Sequence, residues 1–237
     1  MGEKLENIVN TKSDEHINRR GFLGILAGFG LFFLETSCSP LTPIVEHLPV
    51  IGLNLVEVDN FFYRTGQVDP EDLNYLKSKY GIETVLILRG EHQEEAWYRE
   101  ELIACQNLGI GVQAFAFSAR YPSEPNVYLD FIDALEENKH KVKLVHCKSG
   151  CERTALASAL YILLTGGNLD DAREQLRKPH SYLRKNSYIP QLIREIWNFV
   201  SDKSDREAAM KEYFASEQYL EFYNTRNPDA KLTITHK

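Results

Sequence analysis

Cysteine is scarce in this chain: four occur in 237 residues, at Cys38, Cys105, Cys147 and Cys151. That is too few for a disulfide scaffold at this length. Positive charge is also in deficit. Against 34 Asp and Glu there are 27 Lys and Arg, leaving a net charge of −7. This argues against a nucleic-acid partner, because phosphate backbones attract basic surfaces. A small anionic ligand is not excluded, since its pocket needs only local positive charge. Internal repeats and low-complexity tracts are absent. What remains is 43% hydrophobic and 26% charged, the composition of a globular chain with room for one ordinary domain plus extensions.

The uncharged run Gly21–Leu34 follows Arg19-Arg20 and stops at Glu35. It is too short to span a bilayer comfortably and suits the apolar region of an export signal. Asn18-Arg19-Arg20-Gly21-Phe22-Leu23 resembles a bacterial twin-arginine signal. Thr36-Ser37-Cys38 looks like the end of a lipoprotein processing site, although Glu35 stands where Leu is usual. Cleavage, lipidation and an uncleaved membrane anchor all stay open. Residues 1–38 are therefore expected to be an export signal or membrane anchor. They imply export across a bacterial inner membrane, to the periplasm or cell envelope, with membrane attachment through the N-terminus as one outcome. Residues 39–54, with Pro40, Pro43 and Pro49, read as a linker.

From residue 55 the pattern alternates. Leu55–Val58 and Phe61–Arg64 flank Asp59-Asn60 as a hairpin. Asp69 caps a helix that begins with Pro70 and ends at Gly81. Thr84–Leu88, Val112–Phe117 and Val142–Val145 are apolar enough for buried strands, with helical patterns at Glu94–Leu108 and Val127–Asn138 between them. Thr154–Leu164 is a strongly apolar helix, followed by helical stretches at Asp170–Lys178, Tyr188–Val200 and Arg206–Tyr223. Strands alternating with helices predict an α/β fold with a central, mostly parallel sheet flanked by helices. The domain is expected over 55–200, with a helical C-terminal extension over 201–237. In that extension Met210, Tyr213, Phe214, Leu220 and Tyr223 fall on or near one helical face, for packing on the domain or for contact with a partner or membrane.

The chemistry concentrates in His146-Cys147-Lys148-Ser149-Gly150-Cys151-Glu152-Arg153-Thr154. A strand delivers the chain to Cys147, and a helix leaves near Thr154. Successive N–H groups of the loop between them can form an anion nest, and the helix N-terminus adds positive charge. The same field lowers a thiol pKa, and the thiolate is the attacking form. Arg153 can grip two phosphoryl oxygens with its planar fork. Gly150 allows close backbone approach. Lys148, Ser149 and Cys151 complete the phosphate cradle, with Lys148 able to meet a second phosphate. The Thr154 hydroxyl can donate to the sulfur as it leaves. His146 reads as a buried residue that fixes the loop. Cys151 is a small loop filler or the partner for a reversible disulfide with Cys147.

His-Cys, five residues, Arg and Thr resemble the signature of the protein tyrosine phosphatase superfamily, in its compact dual-specificity branch. Phe62-Tyr63-Arg64-Thr65-Gly66-Gln67 looks like the segment near the start of such domains, and Gly81–Arg89 like the strand that follows it. The resemblance implies a cysteine-dependent phosphatase that hydrolyses phosphomonoesters through a cysteinyl-phosphate, with no metal or other cofactor. The substrates it implies are phosphorylated proteins, phosphoinositides or inositol phosphates. It also implies an Asp general acid on the loop after the preceding strand. Here Phe115–Glu124 contains no Asp, and Ala119 holds that place. Glu152 is the expected substitute, since myotubularins resemble this arrangement with an Asp just before the Arg, and Glu124 is the second candidate. A catalytically weak phosphate-binding pseudophosphatase is the alternative function.

Overall fold

The computed structural model describes residues 54–177, 183–227, 229, 232 and 233. The segment expected as an export signal or membrane anchor, residues 1–38, and the expected linker up to residue 53 lie outside the described residues. Five strands form one sheet: β1 (Val56–Asp59), β2 (Phe62–Thr65), β3 (Thr84–Ile87), β4 (Gly111–Ala114) and β5 (Lys143–His146). Their spatial order is β1-β2-β5-β3-β4. The β1–β2 hairpin is antiparallel, and the other three pairings are parallel. This is the expected α/β class. Central β2, β3 and β5 are buried at every position, as strands covered on both faces must be.

Side-chain alternation along the strands divides the core into two layers. Tyr63, Val85, Ile87 and Leu144 face α1 (Pro70–Tyr80) and α2 (Ala96–Leu108), where Leu73, Leu76, Ala104 and Cys105 meet them. Phe62, Leu86, Leu88 and Val145 point the other way. They meet α3 (Pro125–Glu137), α4 (Glu152–Leu164), α6 (Ile189–Val200), α7 (Arg206–Ala215) and α8 (Glu217–Arg226) through residues such as Phe131, Leu160, Ile193 and Phe214. The short α5 (Leu169–Glu174) contributes Ala172. Asp69 and Asp72 form a reciprocal capping box on α1, worth about 1 kcal/mol, and Gly81 ends the helix at φ 70°.

Several boundaries differ from the sequence expectation by a few residues, and three of the differences bear on the site or on the C-terminal packing. β4 stops at Ala114, because Phe115 turns away after its N–H reaches Ile87 O and its carbonyl accepts from Gly90 N. α4 begins at Glu152 rather than Thr154, which places Arg153 inside the first helical turn. The single helix expected over Arg206–Tyr223 is two. Ser216 leaves helical geometry at φ −84°, ψ 160°, and its hydroxyl caps α8 by accepting from Tyr219 N at 3.2 Å. Met210, Tyr213, Phe214 and Tyr223 are buried and Leu220 is half-buried, so the apolar face packs on the domain. Phe214 stacks on Tyr128 of α3 with ring centroids 4.5 Å apart. No helix among the described residues is long and apolar enough to cross a membrane.

Candidate active site

β5 lies between β2 and β3, so the chain following it emerges at the middle of the sheet's carboxyl edge. Such an edge is where open α/β sheets hold their ligands. Cys147 is the first residue there, and residues 147–151 link β5 to α4. The loop's shape is held from outside through its carbonyls. Gln67 N donates to Lys148 O at 3.2 Å. Asn54 Nδ2 donates to Ser149 O and Gly150 O at 3.2 and 3.1 Å. Arg64 Nη2 donates to Gly150 O at 3.0 Å, while its Nη1 is tied to Gln175 O at 2.7 Å. In a trans peptide the N–H points opposite to the C=O. Anchoring these three carbonyls outward therefore turns the N–H groups of Ser149, Gly150 and Cys151 inward, which is an anion nest.

Gly150 makes this curvature feasible. Its φ is +71°, and a Cβ there would lie 2.8 Å from Gly66 N and 2.9 Å from both Asn54 Nδ2 and Thr65 C. These neighbours are backbone or the loop's own brace, so they cannot yield cheaply. Gly150→Ala is expected to cost about 1–3 kcal/mol in a denaturant titration, through left-handed strain and overpacking. The same substitution is expected to lower turnover roughly tenfold or more as the nest shifts. Wild-type stability and turnover together would show that the loop tolerates a side chain at this position.

Two buried thiols show what the loop does to cysteine. Burial pushes Cys105 up to about 12, with the Glu101 charge adding to the rise. Cys147 is only 2% exposed. Burial raises it too, but four groups outweigh that effect: the Thr154 hydroxyl, the Arg153 charge, and the N–H groups of Ser149 and Thr154. Its thiol therefore sits below the ordinary range. Thr154 is fully buried beside it. Arg153 is half-buried, with Nη1 3.4 Å from Leu88 O. Lys148 and Ser149 are exposed. Cys151 is half-buried, and its Sγ donates to Ser149 O at 3.4 Å. Cys105, Cys147 and Cys151 are free thiols.

His146 is fully buried, with Nε2 2.6 Å from Glu101 Oε1 and Nδ1 3.3 Å from Cys147 O. Glu101 Oε2 accepts from Gln67 Nε2 at 2.6 Å, and Gln67 Oε1 accepts from Arg89 Nη1 at 2.7 Å. A polar chain thus runs from the loop through α2 to the end of β3. Sequence reasoning passed over Asn54, Gln67, Arg89 and Glu101 as site residues, and Arg64 as a brace. Burial lowers Arg64 to about 10, against the opposing pull of Cys147 and Cys151.

Glu152 opens α4 and is 8% exposed. Its Oε1 accepts from Arg184 N at 2.9 Å, and Oε2 lies 3.4 Å from Arg184 Nε. Glu124 is exposed at the start of α3, and its charge is felt by Tyr223 of α8. Between them, the loop around Ala119 is braced by tyrosines from three helices or their ends. Tyr188 donates to Ser118 O at 2.9 Å, Ser123 N donates to the Tyr128 hydroxyl at 3.1 Å, and Tyr219 donates to Ser123 O at 2.5 Å. Burial pushes the Tyr188 phenol up, with Tyr128 and Glu152 adding to the rise and Arg153 opposing it. Through Tyr219, α8 of the C-terminal extension thus supports the loop on which the Asp is missing.

Residues 52–187 match the family model described as a DSP-PTPase phosphatase fused to NAD+ kinase. No curated protein matches the chain. Among solved structures, the Siw14 catalytic core is 17% identical with a TM-score of 0.50, covering 68% of this chain and 93% of that one. The core catalytic domain of the PP-IP phosphatase SIW14 from S. cerevisiae, in complex with citrate, is 20% identical with a TM-score of 0.49, over 68% and 93%. TpbA from P. aeruginosa is 18% identical with a TM-score of 0.49, over 69% and 92%.

Proposed function

Because the chain belongs to this DSP-PTPase family of phosphatases, we propose that it hydrolyses phosphomonoesters by way of a cysteinyl-phosphate on Cys147. The observation that carries the reading is the balance of forces on Cys147. A thiol this buried should be inert, yet the Thr154 hydroxyl, Arg153 and two backbone N–H groups bring it below its usual range. A loop that only binds phosphate has no use for an ionised sulfur.

In the first step the Cys147 thiolate attacks phosphorus. An S–P bond forms as the bond to the leaving oxygen breaks, and that oxygen takes a proton from Glu152. The inward N–H groups of residues 149–151 and the Arg153 fork hold the non-bridging oxygens, whose charge grows in the transition state. In the second step water attacks phosphorus and gives its proton to Glu152. Inorganic phosphate departs, and the Thr154 hydroxyl donates to the returning thiolate. Glu152 is preferred to Glu124 because it adjoins Arg153 at the start of α4, whereas Glu124 is exposed at the start of α3. Arg184 holds the Glu152 carboxylate in place. The substrates proposed are phosphorylated proteins, phosphoinositides or inositol phosphates.

Rapid quenching of the reaction with a nitrophenyl phosphate tests the intermediate. A phosphoryl adduct should be found by mass spectrometry on the peptide containing Cys147. In the same assay Arg153→Lys should lower turnover roughly hundred- to thousandfold, since a point charge replaces a bidentate fork. An adduct on another residue, or full activity with Lys at 153, would place the phosphoryl group elsewhere. Wild-type protein that binds tungstate but forms no adduct would favour the pseudophosphatase reading, which the missing Asp in 115–124 recommends.

A further inference from the structure

Arg89 follows the end of β3 and has no part in the reaction above. β3 and β5 are neighbours, so the residues after both strands leave the sheet at one edge. Leu88 N donates to His146 O at 2.8 Å, and Leu88 O takes Arg153 Nη1 at 3.4 Å. Arg89 is the next residue. Its guanidinium lies over the Trp97 indole, 3.6 Å from the ring centroid, and its Nη1 donates to Gln67 Oε1 at 2.7 Å. Gln67 N is in turn bonded to Lys148 O within the loop. Arg89 is thus bracketed by two residues that each touch the Cys147 loop or its arginine.

The electrostatics agree with this placement. Burial and then the Arg153 charge lower Arg89, while Glu101, Cys147 and Glu95 raise it. Glu101 acts on Arg89 through its charge and not by direct pairing, since its two oxygens meet His146 and Gln67. Arg89 remains half-exposed, and among the described residues only Gln67 accepts a hydrogen bond from its side chain. Stacking on one face and an amide at one edge fix the guanidinium before any ligand arrives, which reduces the entropy lost on binding. One phosphoryl group is already satisfied by the nest and Arg153. A second, prepositioned guanidinium is surplus to a simple monoester.

We propose that Arg89 is a second anion-binding residue, and that the preferred substrate is a phosphomonoester bearing another phosphate on a neighbouring carbon. The shared chemistry is a vicinal bisphosphate, in a soluble polyol or in a lipid headgroup. The proposal rests on the hydrolytic reading of Cys147.

The test compares full-length protein on inositol 4-phosphate, inositol 4,5-bisphosphate, and phosphatidylcholine vesicles containing phosphatidylinositol 4,5-bisphosphate. Wild type should favour the bisphosphates. Arg89→Gln should lower their kcat/KM roughly ten- to hundredfold, mainly through KM, and lower that of the monophosphate several-fold at most, through the lost tie to Gln67. Arg89→Lys should recover part of the loss. Faster cleavage in vesicles would assign the lipid source, and faster cleavage in solution the free polyol. Equal loss on mono- and bisphosphate would make Arg89 a brace for Gln67 and overturn the proposal, as would a wild type without preference. Calorimetry of the same soluble pair with Cys147→Ser, with and without Arg89→Gln, reads the selectivity without turnover. Selective binding lost with Arg89 would uphold Arg89 even if hydrolysis failed. Binding that ignores the second phosphate would overturn it even if hydrolysis held.

Discussion

Cys147→Ser is expected to lose turnover by at least about ten-thousandfold, the scale seen when a covalent nucleophile is removed, while still binding tungstate. The loop explains why the two properties separate. Binding depends on N–H groups aimed inward by Gln67, Asn54 and Arg64, and none of these bonds involves the sulfur. Turnover depends on a thiolate, and the groups that lower the Cys147 pKa cannot ionise a serine hydroxyl near neutral pH. The same shift gives a check on wild type. Its pKa lies below that of an ordinary cysteine, so the thiolate persists as pH falls. Alkylation of Cys147 by iodoacetate should therefore reach half its maximal rate at a lower pH than alkylation of free cysteine. Cys105, buried and raised to about 12, should resist the reagent in folded protein. Thermal melting of Cys147→Ser near wild type would confirm that the loop survives. Turnover near wild type would remove Cys147 as nucleophile.

How much of this was legible in the sequence depends on the range of each interaction. Local signals read well. Asp69, Pro70 and Gly81 fix α1 through bonds spanning three or four residues. The His146–Thr154 segment announces an anion-binding loop because its parts are contiguous. The order of strands was not legible, since only tertiary pairing places β5 between β2 and β3. For the same reason the residues that shape the loop were invisible. Asn54 reaches across 95 positions to Ser149, and Arg64 across 86 to Gly150. Gln67 and Arg89 appeared only inside segments that look like those of relatives, with no role attached. Glu101 read as one more polar residue on an amphipathic helix. The break at Ser216 was missed for a different reason. The apolar spacing continues across it, and a serine that caps from outside a helix looks like one within it until its backbone is seen.

Glu152→Gln is expected to slow alkyl phosphates about hundred- to ten-thousandfold, the range of a general acid, and nitrophenyl phosphate far less. The difference arises because a nitrophenolate departs without a proton and an alkoxide does not. The structure adds a competing explanation that the test must separate. Glu152 also holds Arg184, through its backbone N–H and its guanidinium. Glutamine can still accept from Arg184 N, so the backbone tie can survive the substitution. Arg184→Met is the companion variant, since it removes the guanidinium contact and leaves the carboxylate. If Glu152 is the acid, Arg184→Met should change both substrates modestly and alike, and only Glu152→Gln should show the leaving-group pattern. If both variants slow both substrates equally, Glu152 positions the loop after α5 and does not donate a proton. Glu124→Gln completes the set. A leaving-group pattern there, with Glu152→Gln silent, would move the acid to the start of α3, where Glu124 is exposed and its charge is felt by Tyr223. If no carboxylate shows the pattern, alkyl phosphates should be poor substrates of the wild type as well. The protein would then cleave only esters whose leaving group needs no help, and phosphate binding would become its main property.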